Sequence, residues 1–99
     1  MPAFHVVLLS AKSHIPEERV NGMLQAVRDI RSHVPGLLEV KCGKNKHADS
    51  YRFPYCIVVI GEDAAAIERY RRHPLHGPIA EEFVQIELDS VGCDFTDEG

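Results

Sequence analysis

The heptapeptide Tyr-Arg-Arg-His-Pro-Leu-His at residues 70–76 sets a phenol and two imidazoles within seven positions, with a proline between the histidines. A neutral imidazole, with an ordinary pKa near about 6.5, can take a proton from a carbon beside a carbonyl. A phenol hydroxyl can donate a hydrogen bond to the oxygen that gains charge. His76 and Tyr70 are the candidates for these roles. Each also has a structural use: His76 can bond a backbone carbonyl at a helix end, and Tyr70 can be a core aromatic with a satisfied hydroxyl. His73, immediately before Pro74, is expected to satisfy orphan carbonyls rather than do chemistry. A third ring, His5, interrupts an apolar segment beside Val7 and Leu9. Burying it without a partner costs about 1–3 kcal/mol, and a second imidazole in a shared pocket, directly or through water, can be that partner.

Other chemistries fit the sequence poorly. A zinc site wants three or four convergent ligands, and His73 and His76 lie three apart across a proline with no carboxylate at an obvious third position, so no metal is expected. His14, His33 and His47 are expected in loops or at a helix end, in solvent. Cys42, Cys56 and Cys93 match no zinc spacing, and their odd number suits reduced, buried thiols on strands. Cys56 has surroundings that disfavour a thiolate. No phosphate-binding glycine loop or dinucleotide fingerprint occurs, so no cofactor is expected.

The elements that must position these side chains follow from periodicity. Residues 3–12 predict a strand with Phe4, Val6 and Leu8 on one face and His5, Val7 and Leu9 on the other. Residues 16–36 predict a helix, because Val20, Met23, Leu24, Val27, Ile30 and Val34 recur at three- and four-residue steps. Pro16 suits its first turn, and Pro35-Gly36 stops it. Residues 37–43 predict a second strand with Leu38, Val40 and Cys42 on one side, followed by a polar loop at 44–50. Residues 52–61 predict a third, with Tyr55, Ile57 and Val59 opposite Cys56, Val58 and Ile60, and Pro54 limits pairing near its start. Asp63 is a good N-cap for a helix over 64–73, whose last turn sets Arg71, Arg72 and His73 against the negative end of the dipole before Pro74 ends it. A short helix from about residue 78 to 84 or somewhat beyond, with Ile79 and Phe83 on one side, and a strand near 90–95 lead to an acidic tail.

This order, β-α-β-β-α-β with one extra short helix, predicts a ferredoxin-like α+β fold with an antiparallel sheet. Strands one and three are apolar on both faces, yet the helices of such a sheet cover only one. A second copy of the chain is the expected cover for the other, making a two-fold homodimer with a barrel-like centre.

Composition narrows the class further. Ninety-nine residues suit a single domain, 1–99, and 44% hydrophobic with 26% charged residues argues against disorder. The net charge of −4 disfavours nucleic-acid binding. Lys41, Lys44, Lys46, His47 and Arg52 read as a solvated cluster. No apolar run approaches the roughly 18 residues of a membrane span, and the N-terminus lacks a signal peptide's basic region, so no membrane association and a cytoplasmic location are expected.

His5 on the first strand, Val34-Pro35-Gly36 after the first helix, Gly43-Lys44-Asn45 and the Tyr-x-x-His-Pro-x-His element at 70–76 resemble the stress-responsive dimeric α/β barrel family over nearly the whole chain. One plant member, olivetolic acid cyclase, folds a linear polyketide thioester by an aldol step. The resemblance implies a pocket in each protomer between the sheet and its own helices. Tyr70 and His76 would be its working pair, with His5 pointing into the same cavity. It also implies an apolar wall of Val7, Leu9, Met23, Leu24, Tyr55, Ile57, Val59 and Ile79. Val27 joins that set where the plant cyclase has a tyrosine, and Tyr55 stands where it has a histidine. The expected function is that of a cofactor-independent enzyme using His/Tyr acid–base chemistry on a polyketide-like carbonyl compound, with aldol-type cyclisation favoured. The alternative is a non-catalytic dimeric stress-responsive protein that binds a small apolar ligand.

Overall fold

The computed structural model describes residues 1–48 and 52–98. The chain runs β1 (Ala3–Ala11), α1 (Glu17–Asp29), β2 (Leu37–Lys44), β3 (Tyr55–Gly61), α2 (Ala64–Arg72), α3 (His76–Ile86) and β4 (Glu87–Thr96). The strands form a four-stranded sheet in the order β2-β3-β1-β4, with every neighbour antiparallel. This is the ferredoxin-like β-α-β-β-α-β arrangement, with α3 as the additional helix.

Each element has a local cause. Asp63 caps α2, its carboxylate accepting from the Ala66 N–H at 2.9 Å. Gly36 takes φ 90°, a left-handed conformation in which a side chain would be strained and would meet Arg69. Gly61 lets the end of β3 approach α2, since a Cβ there would stand 2.9 Å from that of Ala66.

Several boundaries depart from expectation. Pro16 is the N-cap of α1, in extended conformation, rather than part of its first turn. The helix closes at Asp29 and tightens into a single 3₁₀ turn, Ile30–His33, because Val34 precedes Pro35 and is driven out of the α region. β3 starts at Tyr55, not residue 52, since Pro54 has no N–H for the ladder. Lys44 belongs to β2, and the described loop residues follow it; positions 49 and 50 of the expected loop lie outside the described residues. α3 starts earlier than expected and ends at Ile86, within the expected range. Pro78 falls in its first turn, where the missing N–H would be unpaired in any case, so the helix starts at His76. β4 is longer than expected, since it pairs along the whole of β1. A register shift between Leu37 and Glu39 turns Leu37 rather than Leu38 toward the helices: Leu37 is 8% exposed and Leu38 45%.

The core lies between the sheet and the helices, around Leu9, Val20, Val27, Val59 and Ile86, all essentially inaccessible. The other sheet face carries Phe4, Val6 and Leu8 of β1, Cys56, Val58 and Ile60 of β3, and Val91, Cys93 and Phe95 of β4. Phe4 and Phe95 stack there at 4.8 Å, and Phe95 remains 49% exposed. The three cysteines are free, as the odd count suggested, but Cys93 is exposed and the other two are only partly buried.

Candidate active site

Three elements converge on one end of the helix-covered face. β1 holds His5 opposite Val59 of β3 and Asp94 of β4, so all three side chains leave the sheet toward the helices. α2 buries Ala66, Ile67 and Tyr70, residues three and four apart on its inner face. The chain then turns sharply. The His73 N–H donates to the Tyr70 carbonyl, the His76 N–H donates to the His73 carbonyl at 2.9 Å, and His76 opens α3. The proline between the histidines is therefore what brings the second one back over Tyr70. The two rings meet edge to face, 4.8 Å apart with an interplanar angle of 76°, and the His5 ring stands 5.9 Å from Tyr70.

These rings border a cavity of about 330 Å³ lined by His5, Val7, Val27, Ile57, Tyr70, Arg71, His76, Ile79, Ala80, Phe83 and Val84. That is the low end of the roughly 300–1,000 Å³ usual for small-molecule sites. Of the apolar wall expected from the sequence, Val7, Val27, Ile57 and Ile79 stand on this cavity. Leu9, Met23, Leu24 and Val59 do not: they are buried in the core behind it. Met23 also borders a shallower groove between α1 and α3, and Tyr55 packs against the core at the far end of β3. The physical reason is depth. Alternation assigns a residue to a face but not to the part of that face on which a helix sits.

Protonation states suit acid–base work. Burial, reinforced by the nearby Cys42, pushes the Tyr70 hydroxyl up to about 12, so it is a donor throughout the neutral range. Tyr70 is 3% exposed and lines the cavity, and its hydroxyl has no protein hydrogen-bond partner among the described residues. Burial, then the charges of His5 and Arg71, hold His76 below the usual histidine value, so its free base is the form present at neutral pH. The His76 ring likewise has no hydrogen-bond partner among the described residues; its only ring contact is with Tyr70.

His5 is anchored instead. Its Nδ1 lies 2.6 Å from Asp94 Oδ1, and because an ionised carboxylate can only accept, Nδ1 carries the proton and donates. Arg71 donates through Nη2 to the other oxygen of Asp94, and that nitrogen stands 3.1 Å from His5 Nδ1. Burial raises the Asp94 carboxyl, but the bonds from His5 and Arg71 outweigh it and leave it below the usual value. The partner anticipated for His5 was an imidazole; the one it has is a carboxylate. His73 also differs from expectation, since its Nδ1 accepts from the Leu75 N–H at 3.1 Å rather than donating to a carbonyl. His14, His33 and His47 are exposed, as expected.

Arg71, Asp94, Ala80, Phe83 and Val84 were not anticipated here. Arg71 read as a helix-dipole partner and Asp94 as part of an ordinary strand. Only the pairing of β1 with β4 puts Asp94 beside His5, although both lie on strands with the same alternation.

The molecule is thus an α+β protein of ferredoxin-like topology with a His/Tyr cavity between its sheet and helices. The model of the stress responsive A/B barrel domain matches residues 3–97, and the chain belongs to that family. No curated protein matches it by sequence. Solved structures share its fold. A dimeric ferredoxin-like protein of unknown function from Jannaschia sp. is 21% identical with a TM-score of 0.86, covering 98% of this chain and 100% of that one. A hydroxynitrile lyase from Passiflora edulis is 16% identical with a TM-score of 0.86, covering 99% and 95%. SnoaB, a cofactor-independent oxygenase from Streptomyces nogalater, is 15% identical with a TM-score of 0.80, covering 99% and 94%. No helix among the described residues is long and apolar enough to cross a membrane.

Proposed function

We propose that this protein is a cofactor-independent enzyme that moves a proton at a carbon beside a carbonyl, and that its reaction is an aldol-type ring closure of a polyketide-like substrate. The observation that carries this reading is the Tyr70–His76 pair: two rings 4.8 Å apart on one small cavity, with polar atoms that no other side chain among the described residues uses. The substrate carbonyl oxygen accepts from the Tyr70 hydroxyl, and His76 removes the adjacent carbon-bound proton to leave an enolate and an imidazolium. The enolate carbon then attacks a second carbonyl of the same molecule, and His76 returns the proton to the resulting alkoxide. His5, held by Asp94, is a second polar contact for the substrate. The resemblance of residues 70–76 to a family that includes a plant aldol cyclase supports the choice of reaction. A cofactor-independent oxygenase of the same fold supports chemistry without a cofactor.

The test is a panel of linear polyketide-like diketones and triketones incubated in heavy water, with hydrogen exchange and ring closure followed by NMR. His76→Ala should lower the rate by about 10² or more. Equal rates for wild type and variant with every compound, together with tight binding of one of them, would move the assignment to a ligand-binding protein.

The open sheet face supports a homodimer, since an exposed apolar patch of this extent is uncommon on a monomer and several structures of this fold are dimeric. Two copies placed face to face would bury Phe4, Val6, Val58 and Phe95 at about 25 cal/mol per Å². Free thiols support a cytoplasmic location. Sedimentation velocity showing a protomer at all concentrations up to the high micromolar range would exclude the pairing.

A further inference from the structure

We propose that Arg71 sets the substrate class of this cavity, and that the ligand is an oxo acid: a carbonyl compound whose carboxylate lies on the Arg71 guanidinium while its ketone meets Tyr70 and His76. The inference rests on the acid–base reading given above and adds to it the charge of the substrate.

Among the described residues of the cavity wall Arg71 is the fully charged one; the others are apolar side chains, the Tyr70 phenol and two imidazoles. Its carboxylate partners lie elsewhere. Nη1 donates to Glu68 Oε1 at 2.9 Å and Nη2 to Asp94, and both acids border an adjoining groove with Ile67 and Phe95 rather than the cavity itself. Arg71 borders both spaces. It therefore forms a partition, with the acids that hold it on the groove side.

A guanidinium has five N–H donors in a planar fork. The bonds to Glu68 and Asp94 leave three, the Nε–H and one hydrogen each of Nη1 and Nη2, without an acceptor among the described residues, since the Nδ1 of His5 beside Nη2 is itself protonated. If clamping α2 to β4 were its only task, a purely outward-facing cation would suffice. Arg71 instead lines an apolar cavity beside two imidazoles, with no carboxylate among the described lining residues, and its unused N–H donors offer an anionic ligand charge-assisted bonds. A carboxylate can accept from these remaining donors with charge assistance, which a neutral diketone cannot match.

The experiment uses a matched pair, levulinate and methyl levulinate, which share the ketone and differ in the charge of the acid end. Dissociation constants come from calorimetry or ligand-observed NMR at pH 7, and exchange of the hydrogens beside the ketone in heavy water is read on the same samples. Wild type should bind levulinate at least about tenfold more tightly than the ester, as expected for one charge-assisted contact. In Arg71→Leu the ratio should collapse to about one, and Arg71→Lys, which keeps the charge but loses the fork, should restore part of it. Equal wild-type affinities, a preference that survives in Arg71→Leu, or no binding of either compound would overturn the proposal. His76-dependent exchange without an acid preference would remove this inference and leave the enzyme reading standing. An acid preference without His76-dependent exchange would do the reverse.

Discussion

Replacing Tyr70 by Phe separates packing from chemistry more cleanly than any other change in this cavity. The ring is 3% exposed and touches His76 edge to face, so the phenyl of the variant fills the same space and keeps the same contact. The lost hydroxyl bonds no protein group among the described residues, so its removal leaves no orphaned donor or acceptor behind. Stability near pH 7 should therefore change by less than about 1 kcal/mol. Turnover should respond differently: loss of a hydrogen-bond donor to a developing oxyanion typically costs about 10² to 10³ in rate.

A second readout comes from alkaline pH. The folded phenol sits near 12, above an unfolded value near 10, so it contributes stability that is fully present below pH 10 and is lost as the pH rises toward 12. Wild type should lose about 1.4 kcal/mol relative to Tyr70→Phe by pH 11, measured as the difference in urea midpoints at pH 8 and pH 11. Undiminished turnover in the variant would show that the hydroxyl does not meet the substrate. A stability loss of about 2 kcal/mol at pH 7 would show that it holds the fold instead.

The pH dependence of activity should reveal His76: the rate should rise through an apparent pKa below the usual histidine value and stay level to about pH 9, and an inflection at or above about 7 would point to another base. Because the folded value is depressed, the stability linked to His76 is present above about pH 6.5 and declines as the pH falls through the lower folded value. Asp63→Ala removes the cap of α2 and should cost about 1 kcal/mol in chemical denaturation; no change would mean that the helix start is held by other contacts. Phe95→Lys puts a charge at an exposed position on the open sheet face and should shift sedimentation from dimer to protomer with little change in secondary structure by circular dichroism.

Much of this architecture was legible in the amino-acid sequence because its causes are local. Alternation in residues 3–12 and 55–61 assigned side chains to the two sheet faces, three- and four-residue spacing marked α1, and Asp63 and Pro74 marked the start and end of α2. The composition of strands one and three already demanded a cover for the open face. What lay beyond local pattern was decided by contacts between distant segments. The start of α3 at His76 depends on Pro78 being harmless in a first helical turn, which spacing alone did not disclose. The register shift in β2 exchanges Leu37 for Leu38 through pairing with β3. Above all, His5 and Asp94 are 89 positions apart and meet only because β4 returns beside β1, with Arg71 laid over them from α2. Periodicity is a property of neighbours a few residues apart, so it names the face on which a side chain stands. Which side chains share a cavity, and what charge that cavity carries, depends on where the helices come to rest on the sheet.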